Sequence, residues 1–191
     1  MKQKYKLEKH SSAIVKAEPT IKTTIKEKEE VQWVPTYKMD RKWTELADSY
    51  LPDELYYSND HVWIKLEAYG TVKVGLTDLG QKIAGPISLI HLRKKGKKLR
   101  QGENFGMFYG ARVWVGPIRT PVSGKIIEVN KVVSDDPEAV NIDPYGKGWL
   151  IRMDASKLEE EVKTLHYGEK KVAEMIKRTI EERKRKPSFF W

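Results

Sequence analysis

The chain has 191 residues, with 36 lysines and arginines against 27 aspartates and glutamates, a formal net charge of +9. That length accommodates one ordinary domain with extensions, and the cationic excess points to a polyanion or an acidic protein surface as partner. With no cysteine, disulfides, thiolate metal sites and thiol catalysis are excluded; no apolar run approaches membrane-spanning length, so no membrane contact is expected and a cytoplasmic location is the default.

Residues 1–31 alternate Lys, Glu, Thr and Ser with single aliphatics, and Tyr5 is their one aromatic. Such a segment buries too little surface to offset its ordering entropy, so it is expected to be a basic flexible arm. From 32 to 50 the composition turns aromatic, and Trp33, Tyr37, Trp43, Tyr50 and then Leu51 are candidates to anchor that arm on a folded body. Trp43 to Tyr50 fits a short helix stopped by Pro52.

Residues 56–153 read as short strands. HVWIKLEAYGTVKVGL gives two around a turn near Tyr69-Gly70, and ISLIHL, NFGMFYG, RVWVG, GKIIEVN and GWLIRM follow, each bounded by Gly, Pro or Asn. This pattern suggests a small sandwich or barrel, with strands such as those holding Trp63 and Lys65, or Ile126 and Glu128, half exposed to water. DDPEAVN fits one helical turn. After Met153 the period becomes helical: Ser156 and Glu159 have capping-box spacing, and Leu158, Val162 and Leu165 follow. Gly168 interrupts, then Val172, Met175, Ile176 and Ile180 share one face up to Pro187.

Four segments in this order, Leu51–Ile64 (LPDELYYSNDHVWI), Val72–Ile87 (VKVGLTDLGQKIAGPI), Thr120–Asn130 (TPVSGKIIEVN) and Asn141–Met153 (NIDPYGKGWLIRM), resemble the glycine cleavage H-protein family. Those proteins are lipoyl carriers that shuttle an aminomethyl group between enzymes. The resemblance covers residues 51–166. It implies a mainly β (α+β) fold, a biotinyl/lipoyl-type barrel-sandwich hybrid of two quasi-symmetric halves, here with a C-terminal helix and an extended N-terminal arm. Residues 167–191 are then a basic C-terminal helix with an aromatic tail.

Two positions depart from what the resemblance implies. The family carries a lipoyl lysine at the tip of the hairpin leading into PVSG, where an amine must accept the lipoyl group as an amide. Aligned forward from Gly102-Glu103, Arg112 falls there, with one residue inserted before Thr120-Pro121. A guanidinium stays protonated and delocalised, a poor acyl acceptor. The nearest lysines are Lys98 and Lys125. The family's His-Glu-Trp triplet is His61-Val62-Trp63, with an aliphatic side chain in place of the carboxylate. No cofactor is therefore expected.

The basic residues supply the other candidate site. Arg93, Lys94, Lys95, Lys97, Lys98 and Arg100 are six cations in eight residues without an acid, where the family tends to be acidic, and the stretch from Lys94 to Lys98 reads as a loop. Arg112 at the hairpin tip, with Arg119, offers a further contact, and Arg183, Lys184, Arg185 and Lys186 precede Phe189, Phe190 and Trp191. Cations beside aromatics suit phosphate contact and base stacking. Neither catalytic groups nor a metal set emerge, since His10, His61, His91 and His166 lack ligand spacing, and the resemblance implies a structural role for His61. These features favour a non-catalytic, RNA-bound structural component of a ribonucleoprotein, the ribosome first among such particles, in contact with rRNA and neighbouring proteins. The alternative is an adaptor docking on enzymes of a glycine-cleavage-type or lipoate-linked system, or, further off, a lipoyl carrier.

Overall fold

The alternating apolar residues of VWIKL and TVKVGL form an antiparallel hairpin, β2 (Val62–Leu66) against β3 (Thr71–Leu76), paired from Val62↔Leu76 to Leu66↔Val72. In this computed structural model, which describes residues 48–110 and 114–185, the chain reverses through a 3-10 turn at Ala68–Gly70 with Tyr69 at φ 58°. The expected arm (1–31), the aromatics Trp33, Tyr37 and Trp43, the helix expected from Trp43, the hairpin residue Arg112, and the tail from Lys186 lie outside the described residues.

β1 (Tyr56–Tyr57), β9 (Trp149–Ala155), β8 (Gly124–Val129) and β5 (Lys98–Leu99) extend that hairpin into a six-stranded sheet, ordered β1-β2-β3-β9-β8-β5. A second sheet of β4 (Ile87–Leu92), β6 (Asn104–Gly110) and β7 (Trp114–Arg119) has the order β4-β6-β7. All pairs are antiparallel. One core joins Val62, Ile64, Val72 and Val74 to Ile90, Phe105, Phe108 and Ile118 of the smaller sheet. Burying each such side chain contributes about 1.5–3 kcal/mol, so the facing of the two sheets is the main stabilising contact.

Helical segments close the ends. α1 (Asp78–Ala84) is capped by the Thr77 hydroxyl, which accepts from the Gly80 N–H at 2.9 Å. α2 (Lys131–Asp135) comes directly after β8, and α3 (Ala139–Ile142) falls at the end of the segment 135–141 expected to hold one helical turn. α4 (Leu158–Glu161) leads through a 3-10 turn to Gly168 at φ 80° and then α5 (Glu169–Arg185).

Two local expectations are corrected. Ser156 does not cap α4: Lys157 stands at the cap without a side-chain bond, while the Ser156 N–H donates to the Ser123 carbonyl. The chain is therefore still held to the neighbouring strand where the capping box required it to turn. β2 is also not half exposed over its first part, because Val62, Trp63 and Ile64 are all buried. Val62 and Ile64 face the core between the sheets, and Trp63 joins Leu55, Tyr57 and Met175 of α5 in a second cluster. The helix covers the strand's outer face.

Candidate functional site

The β6–β7 hairpin presents the tip that should carry the chemistry. β6 bulges between Asn104 and Gly106, and the hairpin is seated by close backbone approaches. A Cβ on Gly110 would lie 2.6 Å from the Ala84 carbonyl oxygen, so the strand end sits directly on the end of α1. Gly116 lies under the Phe108 ring, and Tyr109 meets His91 edge-to-face at 5.7 Å. Gly110 pairs with Trp114, which brackets Arg112.

No lysine occurs between Leu99 and Gly124. Lys98 and Lys125, which border that interval, are cross-strand partners in the six-stranded sheet. They lie before β6 starts and after β7 ends, so a seven-residue strand separates them from the tip, roughly 20 Å at 3.3 Å per residue. Val62 is wholly buried, and His61 beside it is buried at φ 58° with its Cβ against Gly80 of α1. Its backbone carbonyl accepts from Thr77 N–H at 2.9 Å.

The cationic residues divide by environment. Arg119 is ion-paired with Asp60 at 3.7 Å. Arg183, Lys184 and Arg185 belong to α5, and the first two side chains are not described. Arg93, Lys94, Lys95, Lys97, Lys98 and Arg100 are exposed, and none pairs with a described carboxylate. Arg152 is their opposite: a hydrogen bond to Glu67 heads the influences that hold its guanidinium above the ordinary range. The stretch expected to be a loop is partly a strand. Lys97 C=O accepts from Ile126 N–H at 2.9 Å, and β5 forms the open edge of the large sheet.

Beside β5 lies an open cleft of about 1000 Å³, with Lys97, Lys98, Arg100, Lys125 and Lys157 along it and Glu103, Asp154 and Glu161 interspersed. Sequence reasoning missed Glu161. Buried at the cleft floor, it accepts from the Ser123 N–H and the Ser123 hydroxyl, both at 2.6 Å. Its only sequence signal was an acid amid the apolar positions Leu158, Val162 and Leu165. Replacing Glu161 with alanine should lower the unfolding free energy by about 2 kcal/mol, the usual worth of a charge-assisted bond. Glutamine should cost less because one acceptor remains. Urea titration measures both, and an unchanged midpoint in the alanine variant would show that water satisfies Ser123.

The glycine cleavage H-protein family profile matches residues 55–179. The chain belongs to the glycine cleavage H-protein family. It is 40% identical over 132 residues to a probable glycine cleavage system H protein 2 of Saccharolobus solfataricus, covering 66% of this chain and 88% of that one. It is 39% identical over 133 residues to a probable H protein of Pyrococcus abyssi, covering 70% and 97%. The crystal structure of an H protein from Mycobacterium marinum superposes with a TM-score of 0.53 at 32% identity, covering 56% of this chain and 87% of that one. The fold is thus the lipoyl-type β architecture of the H-protein family with a C-terminal helix.

These relatives overturn one expectation. The reading as an RNA-bound ribosomal component rested on charge, and the proteins this chain is similar to are named for glycine cleavage. Net charge governs solubility and non-specific attraction without choosing the partner, so an H-protein scaffold with a cationic surface needs no RNA to account for it. No helix among the described residues is long and apolar enough to cross a membrane.

Proposed function

We propose that this chain is a non-lipoylated docking module of a glycine-cleavage-type enzyme system, one that keeps the H-protein body and acts without chemistry of its own. The observation that carries this reading is the run from Leu99 to Gly124, which holds no lysine, and aligning forward from Gly102-Glu103 puts Arg112 where the resemblance expects the lipoyl residue. An acyl group cannot be stably accepted there, because the guanidinium remains protonated. What remains for partners to recognise is shape: the two sheets, the hairpin seated on α1 by Gly110, and the faces around them. Such a module would occupy or organise the enzymes that bind H-protein surfaces.

Protein isolated from its source should have the intact mass of its unmodified sequence, and enzymes of the glycine-cleavage type should co-purify with it after nuclease treatment. A stoichiometric lipoyl mass increment on any lysine would overturn the reading and restore a carrier. Arg112→Lys supplies the informative variant, since a lipoate ligase should modify it where the parent is left untouched. Modification of both to the same extent would place the acceptor elsewhere.

A further inference from the structure

We propose that an acidic, extended segment of a partner protein docks along the open edge of β5, its carboxylates meeting Lys97, Lys98, Arg100, Lys125 and Lys157. This deepens the docking reading above and rests on it for the identity of the partner.

The first observation is electrostatic. Lys98 sits directly opposite Lys125 in the β5–β8 ladder. Lys97 C=O is bonded to Ile126, so by the alternation of an antiparallel ladder the Lys98–Lys125 pair is the non-bonded type, with Cα atoms about 4.5 Å apart and side chains close on one face. Like charges so placed destabilise a sheet. Asp154 is the cross-strand neighbour of Lys125 on its other side, yet neither lysine forms an ion pair with it. An anion seated between the two lysines relieves the repulsion.

The second observation concerns what kind of anion fits. The same alternation turns the N–H and C=O of Lys98 away from β8, outward from the sheet edge. A peptide strand supplies both an acceptor and a donor to that edge, the usual mode of strand addition. A phosphodiester backbone supplies acceptors alone and would leave the carbonyl unmatched. The cleft also carries both signs, with Glu103, Asp154 and Glu161 among its cations. A uniform polyanion meets repulsion there, whereas a chain with acids at every second position directs them to one face. The cleft's size, about 1000 Å³, reaches the top of the range for small-molecule pockets and suits several residues of extended chain.

The test uses the full chain and a fluorescein-labelled peptide of alternating glutamate and threonine, about twelve residues long to span more than the edge. Binding read by anisotropy should weaken roughly 30-fold in Lys97→Glu/Lys98→Glu/Lys125→Glu, because each reversal exchanges attraction for repulsion. The same three reversals at Lys170, Lys171 and Lys177 on the exposed side of α5 should shift binding less than about twofold. A peptide alternating lysine and threonine should not bind. Thermal melts of both variants confirm that the fold persists. Equal peptide affinity in the triple variant and the parent would overturn the proposal, as would single-stranded RNA outcompeting the peptide at equal charge.

Enzyme co-purification with the same variants separates this inference from the docking role. If enzymes follow the triple variant as well as the parent, docking uses another face and the β5 proposal fails while the adaptor role stands. If neither captures enzymes but the parent alone binds the peptide, the site stands and the adaptor role fails.

Discussion

Replacing Trp63 with alanine is expected to lower the unfolding free energy by about 4 kcal/mol, the usual cost of emptying a large aromatic site in a core. Trp63 is 1% exposed, and its indole N–H bonds both the Leu76 carbonyl at 3.0 Å and the Pro144 carbonyl at 3.1 Å. Removing the ring opens the cluster that Trp63 shares with Leu55, Tyr57 and Met175, against which Val172 and Ile176 of α5 also pack. Against a typical total of about 5–15 kcal/mol, the loss should leave the helix open to protease while the two-sheet core survives. Trp63→Phe keeps most of the apolar area and drops the donor, so it should cost about 1–2 kcal/mol. Urea unfolding with limited proteolysis of α5 reads both effects. A loss below about 1.5 kcal/mol for the alanine variant would mean that the helix repacks without its anchor.

Gly124→Ala should be of similar severity for a different reason. A Cβ there would lie 2.3 Å from the Asp154 carbonyl oxygen and 3.0 Å from the Ala155 Cα. Both are backbone atoms of β9, so no side chain can swing aside. The strands must separate, which loosens the Leu99–Gly124 pairing that holds β5 to the sheet. Overpacking against backbone that cannot move aside costs about 3 kcal/mol, the upper end of the usual range. Gly96 makes the comparison sharp: it has φ 92° and open space within 4 Å, so Gly96→Ala meets strain alone, about 1–2 kcal/mol. Thermal midpoints that fall equally in the two variants would show that conformation, not space, governs the site.

Much of the fold could be read from residues alone, because its strands are short, alternating and punctuated by Gly, Pro and Asn. The positions of β2 and β3 and the turn at Tyr69-Gly70 follow from local pattern. What pattern could not supply was long-range. Trp63 is buried on the outer face of β2 by a helix that starts more than a hundred residues later, at Glu169. Ser156 has the spacing of a cap, but Ser123 holds its N–H. Arg119 counts as a free cation until Asp60 is brought beside it. The basic run was visible as charge, while its placement on a strand edge required the pairing of Lys98 with Lys125. Partner class was the poorest inference, since a cationic surface attracts RNA and acidic proteins alike.

The lysine-bearing edge has a further consequence for the molecule when it is alone. The large sheet would otherwise end in a row of unmatched backbone groups, a template on which a second copy could add its own strand. β5 is two residues long and carries Lys98 opposite Lys125, so two such edges approaching each other bring like charges together. The repulsion that weakens the sheet locally would thus oppose edge-to-edge pairing of copies. Neutralising the lysines with glutamine, rather than reversing them, should expose that hazard as self-association at high protein concentration, strongest in salt that screens the remaining charge.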